Sequence, residues 1–147
     1  MNSMEATEPR PATASSDRAE SVIKMPLGLL GLEEFKRFTL QANPNEDPFL
    51  WLKVLDEPKV SFLVLSPFVV LPTYEPDILD ADELFLELRD PQDTLILTIV
   101  TMRGSQQATI NLKGPIVLNR RTMVAKQVIP RNAPDYSVAH PLPVQEN

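Results

Sequence analysis

Proline constrains this chain more than any other residue type. Fifteen of the 147 residues are proline, against four glycines. They recur along its length, at Pro26, Pro44, Pro48, Pro58, Pro67, Pro72, Pro76, Pro91, Pro115, Pro130, Pro134 and Pro141. A proline inside a helix removes a hydrogen bond and clashes with the turn before it. Few gaps between these positions hold a long uninterrupted helix. A helix bundle is all but excluded, and short strands joined by proline turns are expected.

The length suits one domain, and 43% hydrophobic with 23% charged residues is ordinary globular usage. With no cysteine there is no disulfide, thiolate zinc site or thiol nucleophile, and the single histidine, His140, rules out a multi-histidine metal site. The net charge of −6 makes the chain a poor partner for nucleic acid or anionic membranes, since phosphate binding depends on Lys and Arg. The longest apolar stretch, Phe62–Leu71, is interrupted by Ser66 and Pro67. It falls well short of the roughly 20 residues a membrane span needs. The start of the chain has no apolar leader pattern, so a cytoplasmic location is expected.

Residues 1–22 are rich in Ser, Thr, Ala, Pro and Glu, and are expected to form a disordered tail. The folded domain is expected over 23–142, with a flexible end at 143–147. Strands are expected at Phe35–Leu40, where Phe38 and Leu40 share a face at period two, at Phe49–Leu55 and at Val60–Leu65. A short one is expected at Val69–Leu71. Further strands are expected at Thr94–Thr101, Ala108–Leu112, Ile116–Asn119 and Thr122–Ile129, the last of the series. One helix is expected near 80–89. Asp80 and Glu83 have the spacing of a capping box, Leu84, Phe85 and Leu88 share a face, and Asp90-Pro91 supplies the stop. The expected architecture is mostly all-β: a small closed or partly open β-barrel of about seven or eight short antiparallel strands with that one helix.

Charge is segregated. Between Glu75 and Asp93 there are eight acids and one base, and between Thr94 and Pro134 six bases and no acid. Either the two segments meet in the fold or are simply solvated, or the acidic one steers a basic partner.

Catalytic signals are weak. Asp135 and Tyr136 with His140 form the best acid–base cluster, without an activated nucleophile. The acids of 75–93 lack a glycine-punctuated calcium loop. No phosphate-binding glycine motif or nucleophile elbow occurs. No Phe, Tyr or Trp lies within the basic segment to stack on bases. No cofactor is expected.

Specific residues carry the reading further. Gly28–Glu33 precedes Phe35 and Phe38. Pro48-Phe49-Leu50-Trp51-Leu52 follows, then Pro58 through Phe62 to Pro67-Phe68, and Tyr74-Glu75-Pro76. After these come Leu95–Thr101, Thr109–Asn119, Lys126-Gln127-Val128, and Tyr136 with His140-Pro141-Leu142. In this order, over residues 25–142, the chain resembles the FliW family of bacterial flagellar assembly factors. It departs from the family pattern at Met25-Pro26, where Phe-Pro is usual, at Gly114, where alanine is usual, and at Ala125, where glycine is usual.

The resemblance implies a compact monomeric β-barrel that is not an enzyme and binds two proteins in turn. One is flagellin before its export. The other is CsrA, an RNA-binding repressor of flagellin translation, which the freed protein antagonises. The alternative is an export chaperone for flagellin without the regulatory arm. The one-sided charge makes Asp77, Asp80, Asp82 and Glu83 the candidate CsrA contact, against a plain solvated helix. A helical, apolar segment of flagellin needs an apolar groove. Phe68, Tyr74, Ile78 and the end of Ile116–Asn119 are candidates for it, against a core role. Asn111, Asn119, Lys126, Gln127, Tyr136 and His140 match family motif positions. For Asn111 and Asn119, hydrogen bonds at turns or strand ends are expected ahead of partner contact.

Overall fold

The structure is a computed structural model that describes residues 21–104 and 107–143. The expected tail and flexible end fall largely outside them. Nine strands form: β1 (Ile23–Lys24), β2 (Arg37–Ala42), β3 (Leu50–Val54), β4 (Ser61–Leu65), β5 (Thr94–Arg103), β6 (Gln107–Ile110), β7 (Ile116–Asn119), β8 (Val124–Gln127) and β9 (His140–Leu142). Two short helices lie between β4 and β5: α1 (Pro67–Val70) and α2 (Asp80–Leu86).

The hydrogen-bonded order β4-β3-β2-β1-β8-β7-β5 returns to β4, so these strands close a seven-stranded barrel. Every pair in it is antiparallel except β1–β8, which is parallel at Lys24↔Val124. That corrects the all-antiparallel expectation, for a topological reason. Strand directions cannot alternate all the way around an odd-numbered ring, so at least one pair must be parallel. β6 and β9 stand outside the ring and extend the C-terminal half of β5.

Three apolar clusters follow from this layout. The barrel interior holds Ile23, Met25, Leu29, Phe38, Leu52, Val54, Val64, Leu97, Ile116, Leu118 and Ala125. Leu40 packs against it on the same face as Phe38, as the period-two reading of β2 requires. A second cluster, with Leu65, Tyr74, Val100, Ile110 and Leu112, lies under the β5–β6–β9 extension. The third, Leu86, Val117 and Val128, joins α2 to the outside of the barrel. β7 is therefore buried on both faces, which explains its unbroken Ile-Val-Leu run.

Five local expectations are corrected. Val69–Leu71 is not a strand. Ser66 caps a single helical turn there, its hydroxyl accepting from the Phe68 N–H at 3.4 Å, and Pro67 occupies the first helical position, where its missing N–H costs nothing. The capping box on α2 does not form, because Leu79 is the cap and Asp80 already lies inside the helix. The helix ends at Leu86, ahead of Asp90-Pro91. Glu87 turns left-handed (φ 55°), and the N–H groups of Glu87 and Leu88 close back on the carbonyls of Leu84 and Glu83. Its inward face is Asp82 and Leu86. Leu84 is 79% exposed and Phe85 41%, so the apolar spacing had selected the wrong face. Finally, the chain does not end its strands at Ile129, since β9 pairs with β6.

Gly28 sits at the first tight corner, with φ +69° and space for no side chain. A Cβ there would lie 2.5 Å from the Glu33 carbonyl oxygen.

Candidate functional site

The acidic and basic segments meet. Arg131 pairs with Asp77 at 2.8 Å, Lys126 pairs with Asp82, and Arg121 lies 3.9 Å from Asp93 and 4.0 Å from Glu87. Each of these acids comes from 75–93 and each base from 94–134, so the segregated charges largely hold α2 and its flanks onto the barrel. The Asp82 side chain is 6% exposed and that of Lys126 25%. The Lys126 ammonium also stands 5.6 Å from the centre of the Phe85 ring. Asp82, chosen from the sequence as a partner contact, therefore faces the protein. Asp77 is exposed but engaged. Its bond and field hold the Arg131 pKa above the usual arginine value, with Asp80 and Glu83 adding to the field. Asp80 and Glu83 themselves are exposed and make no ion pair among the described residues.

Beside α2 opens a groove of about 570 Å³. Phe68, Ile78, Leu88, Leu95 and Ile96 supply apolar lining, and Glu83, Arg89, Asp90 and Arg120 the charge. It contains two of the groove residues chosen from the sequence, Phe68 and Ile78, and brings them next to Glu83. The others are elsewhere. Ile116–Asn119 is fully buried. Tyr74 is 3% exposed, and its hydroxyl donates to the Leu112 carbonyl at 2.7 Å. Burial, with the Tyr136 phenol beside it, pushes the Tyr74 phenol far above the usual tyrosine range. It stays a neutral donor at any physiological pH. Its ring packs edge-on against Tyr136 (centroids 4.7 Å) and tilted against Phe68 (5.9 Å). Tyr74→Phe is expected to cost about 1.5 kcal/mol, because the Leu112 carbonyl loses its buried partner. Urea unfolding of the variant measures this.

The remaining motif residues tie loops together. Asn119 is completely buried. Its amide donates to the carbonyls of Leu86 (2.7 Å) and Glu87 (3.1 Å), and its oxygen accepts from the N–H of Arg121 (2.8 Å) and Thr122 (3.4 Å). Asn111 accepts from the N–H of Lys113 (3.0 Å) and Gly114 (3.1 Å). Gln127 donates to the Gly114 carbonyl and accepts from the Leu30 N–H, both at 2.9 Å. Tyr136 accepts from the Glu75 N–H at 3.1 Å. His140 lies half-buried in β9, opposite Ile110. Asn111 and Asn119 thus do what turn residues were expected to do.

Sequence reasoning missed several surface residues. Leu84 and Phe85, read from the sequence only as part of one apolar helix face, are turned outward. Arg89 and Arg120 line the groove and were counted from the sequence only as charges, not as site residues. A second hollow of about 610 Å³, with Leu30, Ile129 and Val138 at its exposed apolar rim, was not anticipated. Its residues come from three separate loops, so no local pattern marks it.

Among the described residues, no group of three or more His, Asp or Glu is placed to hold a metal ion. No helix among them is long and apolar enough to cross a membrane.

Known proteins resemble this one over most of its length. The family model described as FliW protein matches residues 8–142. The flagellar assembly factor FliW of Leptospira interrogans is 35% identical over 113 residues, 76% of this chain and 75% of its own. That of Syntrophus aciditrophicus is 37% identical over 109 residues, covering 74% and 69%. That of Bacillus subtilis is 32% identical over 126 residues, covering 85% and 87%. A crystal structure of the flagellar assembly factor FliW superposes with a TM-score of 0.74 at 33% identity, over 83% of this chain and 86% of that one.

Proposed function

The chain belongs to the FliW family of flagellar assembly factors, and on that premise we propose that it works by being occupied: it holds flagellin before export and, once freed, binds CsrA and relieves repression of flagellin translation. No covalent step is involved. The observation that carries this reading is the ordered match along nearly the whole barrel.

The geometry supports two surfaces. Asp80 and Glu83, exposed and without ion partners among the described residues, are the contact for CsrA. A protein that binds RNA carries basic charge, and two uncompensated carboxylates favour its encounter. The neighbouring groove, with Phe68 and Ile78, is the site for an apolar segment of flagellin. To release CsrA from RNA, the protein must bind the RNA-free form better than the RNA-bound one, because equal affinity shifts nothing.

The test is calorimetry of the Asp80→Lys/Glu83→Lys double variant against CsrA. Affinity is expected to fall about tenfold, and less at high salt, because exposed charges are screened within about 8 Å at physiological ionic strength. Unchanged affinity removes these residues from the interface. Flagellin binding with no CsrA binding by the unaltered protein points instead to the export chaperone alone.

A further inference from the structure

We propose that the groove beside α2 takes its partner segment as an added β-strand, laid along the free edge of β5 between Thr94 and Leu97. The proposal rests on the reading of flagellin as a partner and states how flagellin is held: extended, not helical.

The edge is free because β4 leaves it. β4 and β5 pair only at Val64↔Ile99 and Leu65↔Thr98. The next residues of the chain, Ser66 and Pro67, enter α1, which stays beside β5 without pairing with it, and Pro67 has no N–H to continue a ladder. β5 runs on to Thr94, paired with β7 on its other side from Leu97↔Ile116 to Thr94↔Asn119. No strand among the described residues covers the β4 side of that stretch.

Its main-chain groups point the right way. The Asp93 carbonyl accepts from the Arg120 N–H (2.7 Å) and the Ile99 carbonyl from the Asn111 N–H (3.3 Å), so both face the β6–β7 side. Main-chain groups alternate sides along a strand, so those of Thr94 and Ile96 face the opposite way. The Thr94 N–H is taken by Pro91. No hydrogen bond among the described residues takes the Thr94 carbonyl or either group of Ile96, which leaves them for a new strand. Thr94, Leu95 and Ile96 all line the groove, with Phe68, Ile78 and Leu88 around them. This is the arrangement of strand addition, in which main-chain bonds give affinity and flanking pockets read alternate side chains.

The occupant is an extended stretch of flagellin with apolar residues at alternate positions and an acidic residue beside them. Arg89 and Arg120 line the groove and have no ion partner among the described residues, whereas Arg121, Lys126 and Arg131 are paired. Of the groove's two acids, Asp90 is engaged with the Gln92 N–H and Glu83 lies in the field of Arg131. The chain's own residues 1–20 contain just two large apolar side chains, Met1 and Met4, too few to line such a groove. A second copy would have to bring a whole sheet to an edge that lies inside a groove.

Amide hydrogen exchange of the full-length protein, read by NMR with and without monomeric flagellin, tests this. Flagellin is expected to slow exchange at Ile96 by about 100-fold, as a new sheet bond does. Arg120→Glu is expected to weaken flagellin binding about tenfold, while Leu30→Ser/Val138→Ser, in the other hollow, leaves it unchanged. Bound flagellin with unchanged Ile96 exchange, or loss of binding in the Leu30/Val138 variant instead, overturns strand addition. So does slow Ile96 exchange in the free protein that is lost on removing residues 1–20, or on dilution. These identify the chain's own tail or a second copy as the occupant. Failure to bind flagellin at all overturns the reading beneath.

Discussion

Lys126→Ala is expected to destabilise the protein by about 3 kcal/mol, because it leaves the Asp82 carboxylate buried and unpaired. Asp82 keeps 6% of its side chain in contact with solvent, too little for water to replace the ammonium fully. The exposed part of Lys126, 25%, keeps the loss at the low end of what breaking a buried pair costs. For a chain of this length that is a fall in Tm of roughly 6–12 °C. Phe85 loses its cation at the same time. The control is the double variant Asp82→Leu/Lys126→Met. Removing both charges together is expected to recover most of the loss, because a buried pair replaced by apolar groups is often near neutral. A Lys126→Ala variant within about 0.5 kcal/mol of the parent, the ordinary effect of a surface substitution, means that the pair does not hold α2.

Asn119→Ala is expected to cost about as much, roughly 3 kcal/mol, through a different mechanism. One fully buried amide closes the end of α2 and the β7–β8 turn at once. Truncation strands the Leu86 carbonyl and the Arg121 N–H together, at about 1–3 kcal/mol for each buried group left unpaired. Asn119→Asp separates the two halves of this role. It keeps the acceptor for the turn but loses both donors to the helix carbonyls, and places a carboxylate against them. It is expected to be no better than alanine in thermal unfolding. An Asp variant close to the parent means that only the turn matters. In either variant α2 loses one of its anchors, so under the proposed function flagellin and CsrA binding are expected to weaken together, because the groove and the exposed acids share that helix.

The fold was legible where one physical signal dominated. Proline spacing excluded a bundle, and period two placed Phe38 and Leu40 on the inward face. The strands that were missed, β1 and β9, are two and three residues long. They are set by pairing with distant strands, and β9 carries a proline at its centre. The helix was found but turned the wrong way. Leu84 and Phe85 have helical spacing, yet the inward positions are Asp82 and Leu86, because Lys126 supplies a cation under the helix. A buried ion pair between residues 44 positions apart leaves no local pattern. Its only trace was the charge segregation, and of the two accounts weighed, contact between the segments explains four of the eight acids. The site was legible to a similar degree. Phe68 and Ile78, chosen for one groove, do line it together, with Glu83, chosen for the other partner, beside them. Tyr74 was misplaced because its spacing says nothing of the Leu112 carbonyl waiting for its hydroxyl. The free edge of β5 is a property of strand pairing, which one sequence does not reveal.

Under the proposed function, flagellin and CsrA occupy this protein in turn and never together. The most direct test of this adds monomeric flagellin to a preformed complex of this protein with CsrA and follows both partners by size-exclusion chromatography. The account predicts that flagellin enters the complex, CsrA leaves it, and the freed CsrA recovers binding to flagellin mRNA. A stable assembly of all three proteins, or no complex with either partner, contradicts it.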